Sequence, residues 1–559
     1  MTHGLQRDQN GGLLPGAPVG LVVGGSLTQG VEVRLDGAAT VEDIKAGTFL
    51  TIQGGRQRYF GVVTDIALGS SDPRMKHTPP QPGEDFLVQV LSGIVAYGAV
   101  TVMPSVTLPS VLGDEESPPP AKTIPPHFAR AYTAAPRDVE LVFGREDENH
   151  FWIGNPLDME TKLCLDLDKL VQRSIGIFGK SGTGKTFLTR LLLVGILQRN
   201  RASSIIFDMH SEYGWSGQDA DRRRVVKGLK QLFPSQVSTF TLDEASSRRR
   251  GSPVDEVVGI SYGDVEPEDL LTLRETLNLS EVAAGAGFNL ERKFGPGKWL
   301  REFLARQGQD DVKELAEDVG INQQALLTLH RRLSQLTRYE FFTDQAPKDA
   351  AVQIIEHAEK GRHVALEFGR YGNDPTAYVL VSTLLCRRIH KRYIDLKEQA
   401  AGGGGREPRP LVLVIEEAHK FLSPAIASQT IFGIIARELR KYNVTLMVID
   451  QRPAAIDSEV MSQLGTLLTC RLDNEKDVEA VLAGTPGARQ LRTVLSRLES
   501  RQQALLFGDA LPMPVVVRTR EYGSEGSYAE LGRKAGLQPD AHQGETAAQR
   551  LEREIKELF

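Results

Sequence analysis

The residues best equipped for chemistry stand in one run, Gly179-Lys180-Ser181-Gly182-Thr183-Gly184-Lys185-Thr186. Glycines at this spacing let backbone N–H groups converge on the oxygens of a polyphosphate. Lys185 then supplies a positive charge for the β- and γ-phosphates, and the Thr186 hydroxyl a ligand for Mg²⁺. The eight residues, with Phe187 after them, are the candidate nucleotide contact. Two carboxylates far downstream, Glu416 and Glu417, close an apolar run that begins at Leu411. The first acid of such a pair assists the metal, partly through water, and the second polarises the attacking water. Glu416 is therefore assigned to Mg²⁺ together with Thr186, and Glu417 to the water. Gln451 ends a third apolar run, 444–450, and is the candidate sensor of the γ-phosphate. The cofactors implied are ATP and Mg²⁺.

These residues need elements that hold them at one edge. Ser174, Ile175, Gly176, Ile177 and Phe178 read as a short strand before the loop, and the apolar run after Thr186 reads as a helix. Strand, loop and helix in that order are the context a phosphate loop requires, because the helix N-terminus adds positive potential. From residue 139 onward, strand-like runs alternate with helical ones, which reads as an α/β fold with a parallel sheet. Leucines near helical spacing over 265–342 predict a helical insertion in it. Before residue 110, short strand-like runs separated by breakers predict a small β-barrel or sandwich. The expected organisation is a barrel over 1–110, a proline-rich linker over 111–138, a RecA-like core over 139–256 and 346–522, a helical insertion over 257–345, and a tail over 523–559 with an amphipathic helix at 547–559. The fold class is thus an α/β RecA-like P-loop ATPase core with a helical insertion, preceded by a small barrel.

Several polar clusters carry a second reading. Arg437 and Arg440 lie three apart, on one helical face. Either could serve as an arginine donated to a neighbouring subunit's γ-phosphate, and Arg173 is a weaker candidate. Lys420, after the acidic pair, is the candidate DNA-phosphate contact, and His419 beside it reads as structural. Asp208, His210 and Glu212 could suggest a metal site, but that needs convergence that spacing does not show. A polar loop beside the nucleotide, or at a subunit junction, is the favoured reading. The basic runs at 222–224 and 248–250 read as solvated loops.

Composition sets limits on partners. The 559 residues carry 66 basic and 72 acidic side chains, a formal charge of −6, so any nucleic-acid contact must be a local basic lining. Three scattered cysteines form no C-x-x-C pair, which argues against a disulfide scaffold and fits a reducing compartment. No signal pattern or long apolar stretch stands out, so a cytoplasmic protein with no membrane partner is expected.

Taken in order, the phosphate loop, the Phe207–Tyr213 run, Glu416-Glu417-Ala418-His419, Arg437-Glu438-Leu439-Arg440-Lys441-Tyr442 and Gln451-Arg452-Pro453 resemble the HerA family of the HerA/FtsK group. Two positions depart from its pattern: Leu439 stands where glycine is frequent, and Asp450 where a small hydroxyl residue is. The resemblance implies a homohexameric ring that moves along double-stranded DNA at the expense of ATP. It also implies a NurA-type nuclease docked on one face for DNA end resection in recombinational repair, and a C-terminal tail that braces a neighbouring subunit. A different class of function is an ATP-dependent ring scaffold that assembles and activates an effector enzyme in antiphage defence. A small-molecule kinase fits poorly, given the large extra domains and no obvious acceptor pocket.

Overall fold

The computed structural model describes residues 16–534, apart from 37–40, 73–74, 76–78, 93–94, 109–117, 220–223, 428–429, 486 and 500. The expected helix at 547–559 and the bracing tail beyond residue 534 lie outside the described residues, as do Arg222 and Arg223.

The N-terminal unit is a closed six-stranded barrel in the order Pro18–Ser26, Gly30–Leu35, Ala96–Leu108, Arg58–Ser70, Phe49–Gln53, Arg130–Thr133. Alternation drives it: Val31, Val33, Leu50, Ile52, Val63, Val100 and Val102 point inward and are buried. The last strand corrects the expected boundary at residue 110. Arg130–Thr133 pairs with both Pro18–Ser26 and Phe49–Gln53, so the barrel closes inside the stretch read as a linker. Without that strand two edges would stay open. Asp138, on the helix Pro136–Phe143, accepts from Arg58 Nη2 at 2.7 Å and from the Thr51 hydroxyl at 3.2 Å. This buried pair fastens the barrel to the next unit.

That unit is built on a twelve-stranded sheet. Eight strands are parallel, in the order Glu256–Val257, Val237–Thr241, His363–Glu367, Ser203–Asp208, Leu411–Glu416, Val444–Asp450, Ser174–Phe178, Leu464–Thr469. The central strands are apolar on both faces because helices cover both sides. Four antiparallel strands extend the sheet: Gln503–Gly508, Val515–Thr519, His150–Pro156 and Leu163–Asp166. The chain thus brings strands from before the phosphate loop against strands from its C-terminal part.

The helical insertion leaves and returns through a two-stranded parallel ladder, Ile260–Ser261 with Phe342–Thr343. Five helices fill it, from Pro267–Leu273 to Gln323–Ser334, around a core that includes the buried Trp299, Phe303, Leu326 and Leu329. Arg387, on the long core helix Pro375–Ala401, donates to the buried Asp269 at 2.9 and 3.1 Å and ties the insertion down. That long helix stops at the run Gly402–Gly405, where the sequence offers no side chains to pack. Among the described residues, no helix is long and apolar enough to cross a membrane.

Candidate nucleotide-hydrolysis site

Parallel strands place their C-terminal tips along one edge, and the helix that follows each tip begins there. The strand Ser174–Phe178 ends into the glycine loop, which opens the helix Lys185–Gln198. Gly184 caps that helix at φ +98°, a left-handed conformation that disfavours a side chain. Gly179 is held for a different reason: a Cβ there would meet the Cys470 Cβ at 2.7 Å. The Thr183 hydroxyl donates to the Lys180 carbonyl at 2.7 Å, and the Lys180 ammonium pairs with Asp473 at 2.7 Å. The Lys185 ammonium donates to the carbonyls of Gly179 at 2.7 Å and Lys180 at 3.1 Å, across the bow of the loop. Burial pushes its pKa down, against the pull of Cys470, Glu417, Asp450 and Glu416.

The tip of Leu411–Glu416, two places along the sheet, brings in the acids. Glu416 is buried, and its carboxyl accepts from the Tyr213 hydroxyl at 2.9 Å. Its second oxygen, Oε2, is buried with no hydrogen-bond partner. Burial, with Asp208 nearby, raises its pKa to about 8. A carboxyl with one unpartnered buried oxygen, in a cleft that Thr186 also lines, fits a hard divalent cation and its water. Glu417 follows at φ +50°, an unusual backbone for a non-glycine residue, and accepts from Gln451 Nε2 at 3.2 Å. Gln451 therefore sits with its amide on the second acid of the pair. Asp450, the departure noted above, accepts from both the backbone N–H of His419 (2.8 Å) and its Nδ1 (2.9 Å). That pair raises the pKa of His419 and lowers that of Asp450, and it gives His419 a structural job.

A cleft of about 450 Å³ joins these groups: Ser181 through Phe187 on one side, Glu416, Glu417 and Gln451 on another. Gly179 and Lys180 shape the loop from outside it. Arg437 and Lys420 do not line it. Arg437 reaches Glu459 at 3.4 Å and the Ala427 carbonyl at 3.4 Å. Arg440 is on the short turn Leu439–Tyr442, and its side chain is outside the described residues. Lys420 lies over the Tyr378 ring at 5.7 Å, and the Tyr378 hydroxyl donates to the Glu416 carbonyl at 3.1 Å. Arg173 pairs with Asp509 at 3.0 Å.

Asp208 is engaged in the turn that follows its strand. Its carboxylate accepts the backbone N–H groups of Glu212, Tyr213 and Gly214 at 2.7, 2.8 and 3.1 Å. Among the described residues, no group of three or more His, Cys, Asp or Glu side chains is placed to hold a metal ion. His210 and Glu212 line the nucleotide cleft instead.

Comparison with known proteins agrees with the arrangement. Residues 151–389 match the model described as the central domain of helicase HerA, and residues 19–116 match the HAS barrel domain. The chain belongs to the HerA family. The protein named DNA double-strand break repair helicase HerA from Saccharolobus solfataricus is 24% identical over 89% of this chain and 91% of its own. The protein of the same name from Sulfurisphaera tokodaii is 23% identical over 94% and 98%. Among solved structures, VirB4 of Thermoanaerobacter pseudethanolicus covers 69% of this chain and 100% of its own at a TM-score of 0.45 and 14% identity. The chain is a P-loop ATPase of this family.

Sequence reasoning missed the layer beneath the HerA-type site. Arg190 is almost wholly buried, donates to the Glu212 carbonyl at 2.5 Å, and lies near the rings of Phe187, Tyr213 and Tyr522 at 5.5, 5.8 and 5.9 Å. The signal was present: an arginine inside the apolar run 187–197 must find buried partners. Tyr213 and Tyr378, which hold Glu416 from two sides, gave no such signal. Neither did the cleft wall at 501–503 and 519–522.

Proposed function

We propose that the protein is an ATP-driven motor that moves along double-stranded DNA as a hexameric ring, supporting DNA end resection beside a NurA-type nuclease. One observation carries this reading: Lys185, Thr186, Glu416, Glu417 and Gln451, from three strand tips, line a single cleft. The names of relatives that match over nearly the whole chain support the DNA-repair role.

In this reading the glycine loop cradles the phosphates of ATP and Lys185 orients the β- and γ-oxygens. Thr186 and, partly through water, Glu416 would hold Mg²⁺, which would supply positive charge to the phosphates. Glu417 accepts a proton from the attacking water at its carboxylate. Gln451, bonded to Glu417, relays the presence of the γ-phosphate. Arg437, which does not line its own cleft, or Arg440 stabilises the transition state of a neighbouring subunit. Lys420 faces DNA phosphate. Its stack on Tyr378, which is bonded to Glu416, gives DNA contact a route to the site. The barrel is the nuclease platform, and the tail braces the neighbour.

The test is ATP hydrolysis by the purified protein, with and without linear duplex DNA, alongside its mass in solution. A hexamer with DNA-stimulated turnover is expected. Turnover indifferent to DNA overturns the motor and favours the ring scaffold for an effector enzyme. Mixing Arg437→Ala, or Arg440→Ala, with Lys185→Ala should partly restore activity. No recovery removes the arginine assignment.

A further inference from the structure

The cleft runs past the phosphate loop to a wall with no nucleotide motif, made of 501–503 and 519–522. These segments flank neighbouring antiparallel strands, Gln503–Gly508 and Val515–Thr519, and the Thr519 N–H donates to the Gln502 carbonyl at 2.8 Å. Gln502 is exposed and stands at φ +58°, a conformation a non-glycine residue adopts at a cost. The pinned backbone holds it there. Among the described residues, nothing hydrogen-bonds its carboxamide, whereas the carboxamide of Gln503 beside it accepts from the Glu499 N–H at 2.9 Å. Phe187 lines the same cleft, packs on that wall and is half-buried. Its ring lies 6.3 Å from that of Tyr522 at 64°, and the Arg190 guanidinium supports it from 5.5 Å.

We propose that Gln502 reads the edge of a purine that stacks on Phe187, which makes this end of the cleft selective for adenine. The inference rests on the reading of the cleft as a nucleotide site and adds the base to it. A fixed ring offers an apolar face to a base at little entropic cost. A carboxamide carries a donor and an acceptor side by side. Adenine offers the complement, an acceptor at N7 and a donor at the 6-amino group. A 6-oxo purine offers acceptors at both positions, so the amide carbonyl would face another oxygen. Gln502 would be a base-contacting residue with no part in phosphate chemistry.

Binding of ADP and IDP, measured by calorimetry without turnover, tests this in the full-length protein. Wild type is expected to bind ADP about tenfold more tightly than IDP, the discrimination of one bidentate amide contact. In Gln502→Ala the ratio should fall to near one, through lost ADP affinity with IDP unchanged. Gln502→Gly relieves the left-handed backbone and should behave in the same way, so a shared result assigns the effect to the carboxamide. A wild type that ignores the base, or a variant that keeps the preference, overturns the assignment while leaving the phosphate site intact. Lys185→Ala should weaken both nucleotides in equal proportion. If wild type binds neither nucleotide, the nucleotide reading itself falls, and this inference with it.

Discussion

Asp208 and Glu416 end neighbouring strands of one parallel sheet, and both are buried, yet the chain treats them in opposite ways. The Asp208 oxygens take three backbone N–H groups from the turn that follows, so the carboxyl is engaged in shaping that turn. Glu416 takes one hydroxyl and leaves a buried oxygen without a partner. A buried polar atom left unsatisfied costs about 1–3 kcal/mol, and more if charged. The comparison teaches that burial alone does not mark the working acid. We read the unpartnered oxygen as the better mark, because it has no hydrogen bond to give up to a cation.

The largest effect should come one residue further on. Glu417→Gln keeps the size and the contact with Gln451 but removes the base, so ATP turnover should fall about 100- to 10,000-fold with nucleotide binding retained. Rapid-mix product assays beside equilibrium binding check it. Normal turnover would end the assignment of Glu417 to the water.

Glu416→Gln should lower turnover about 10- to 100-fold, mainly through Mg²⁺ affinity. The pH dependence of Glu416 gives a second readout. The folded pKa of Glu416, about 8, lies above the ordinary 4.5. The cation-free fold therefore holds a proton that the unfolded chain has released. Stability from this group is greatest at low pH and declines as pH rises from about 4.5 to about 8. Mg²⁺ must displace that proton, so its affinity should rise with pH over the upper part of the same window. In Glu416→Gln both slopes should flatten, and at pH 8 in a chelator the variant should be more stable than wild type. Titrations of Mg²⁺ and thermal melts between pH 6 and pH 9 read both. A wild-type Mg²⁺ affinity flat across that range would break the contrast.

Asp208→Asn should do the reverse. One side of the amide presents N–H to backbone N–H, so stability should drop by about 1–3 kcal/mol while turnover per folded molecule stays within a few-fold. Chemical denaturation with activity normalised to folded protein measures this. A large fall in turnover without a fall in stability would make Asp208 a member of the site.

The contrast also explains what could be read from the sequence. The glycine loop, the acids and Gln451 were legible because each sits at a strand end whose apolar run announces it. The parallel core and the helical insertion followed from the switch between strand and helix periods. The barrel's closing strand was not legible. Arg130-Ala131-Tyr132-Thr133 is four residues long and follows a proline-rich stretch, so only its pairing on both edges shows it to be a strand. The antiparallel part of the sheet pairs Arg518 with Asn155, far apart in the chain, and local pattern carries no information about such pairings. The same distance hid Gln502 and the 519–522 wall. Asp208 was visible as an acid at a strand end, but the three N–H groups that occupy it come from a turn whose geometry no motif encodes.

Tyr213 gives the smallest effect and the finest test, because it touches both acids. Its backbone N–H is bonded to Asp208 at 2.8 Å, and its hydroxyl donates to Glu416 at 2.9 Å. Tyr213→Phe keeps the first bond and deletes the second. The hydroxyl lowers the Glu416 pKa, since it stabilises the charged form. Losing a bond of about 1 kcal/mol should move the midpoint of the Mg²⁺–pH curve upward by about half to one pH unit. The stability that depends on Asp208 should hardly change, because the ring and the main-chain bond remain. A shift in the Mg²⁺ midpoint with an unchanged denaturation midpoint at low pH would locate the difference between the two acids in their hydrogen-bond partners. An unshifted midpoint would mean that burial and the charge of Asp208 set the Glu416 proton without help from Tyr213, and the comparison would then rest on the unpartnered oxygen alone.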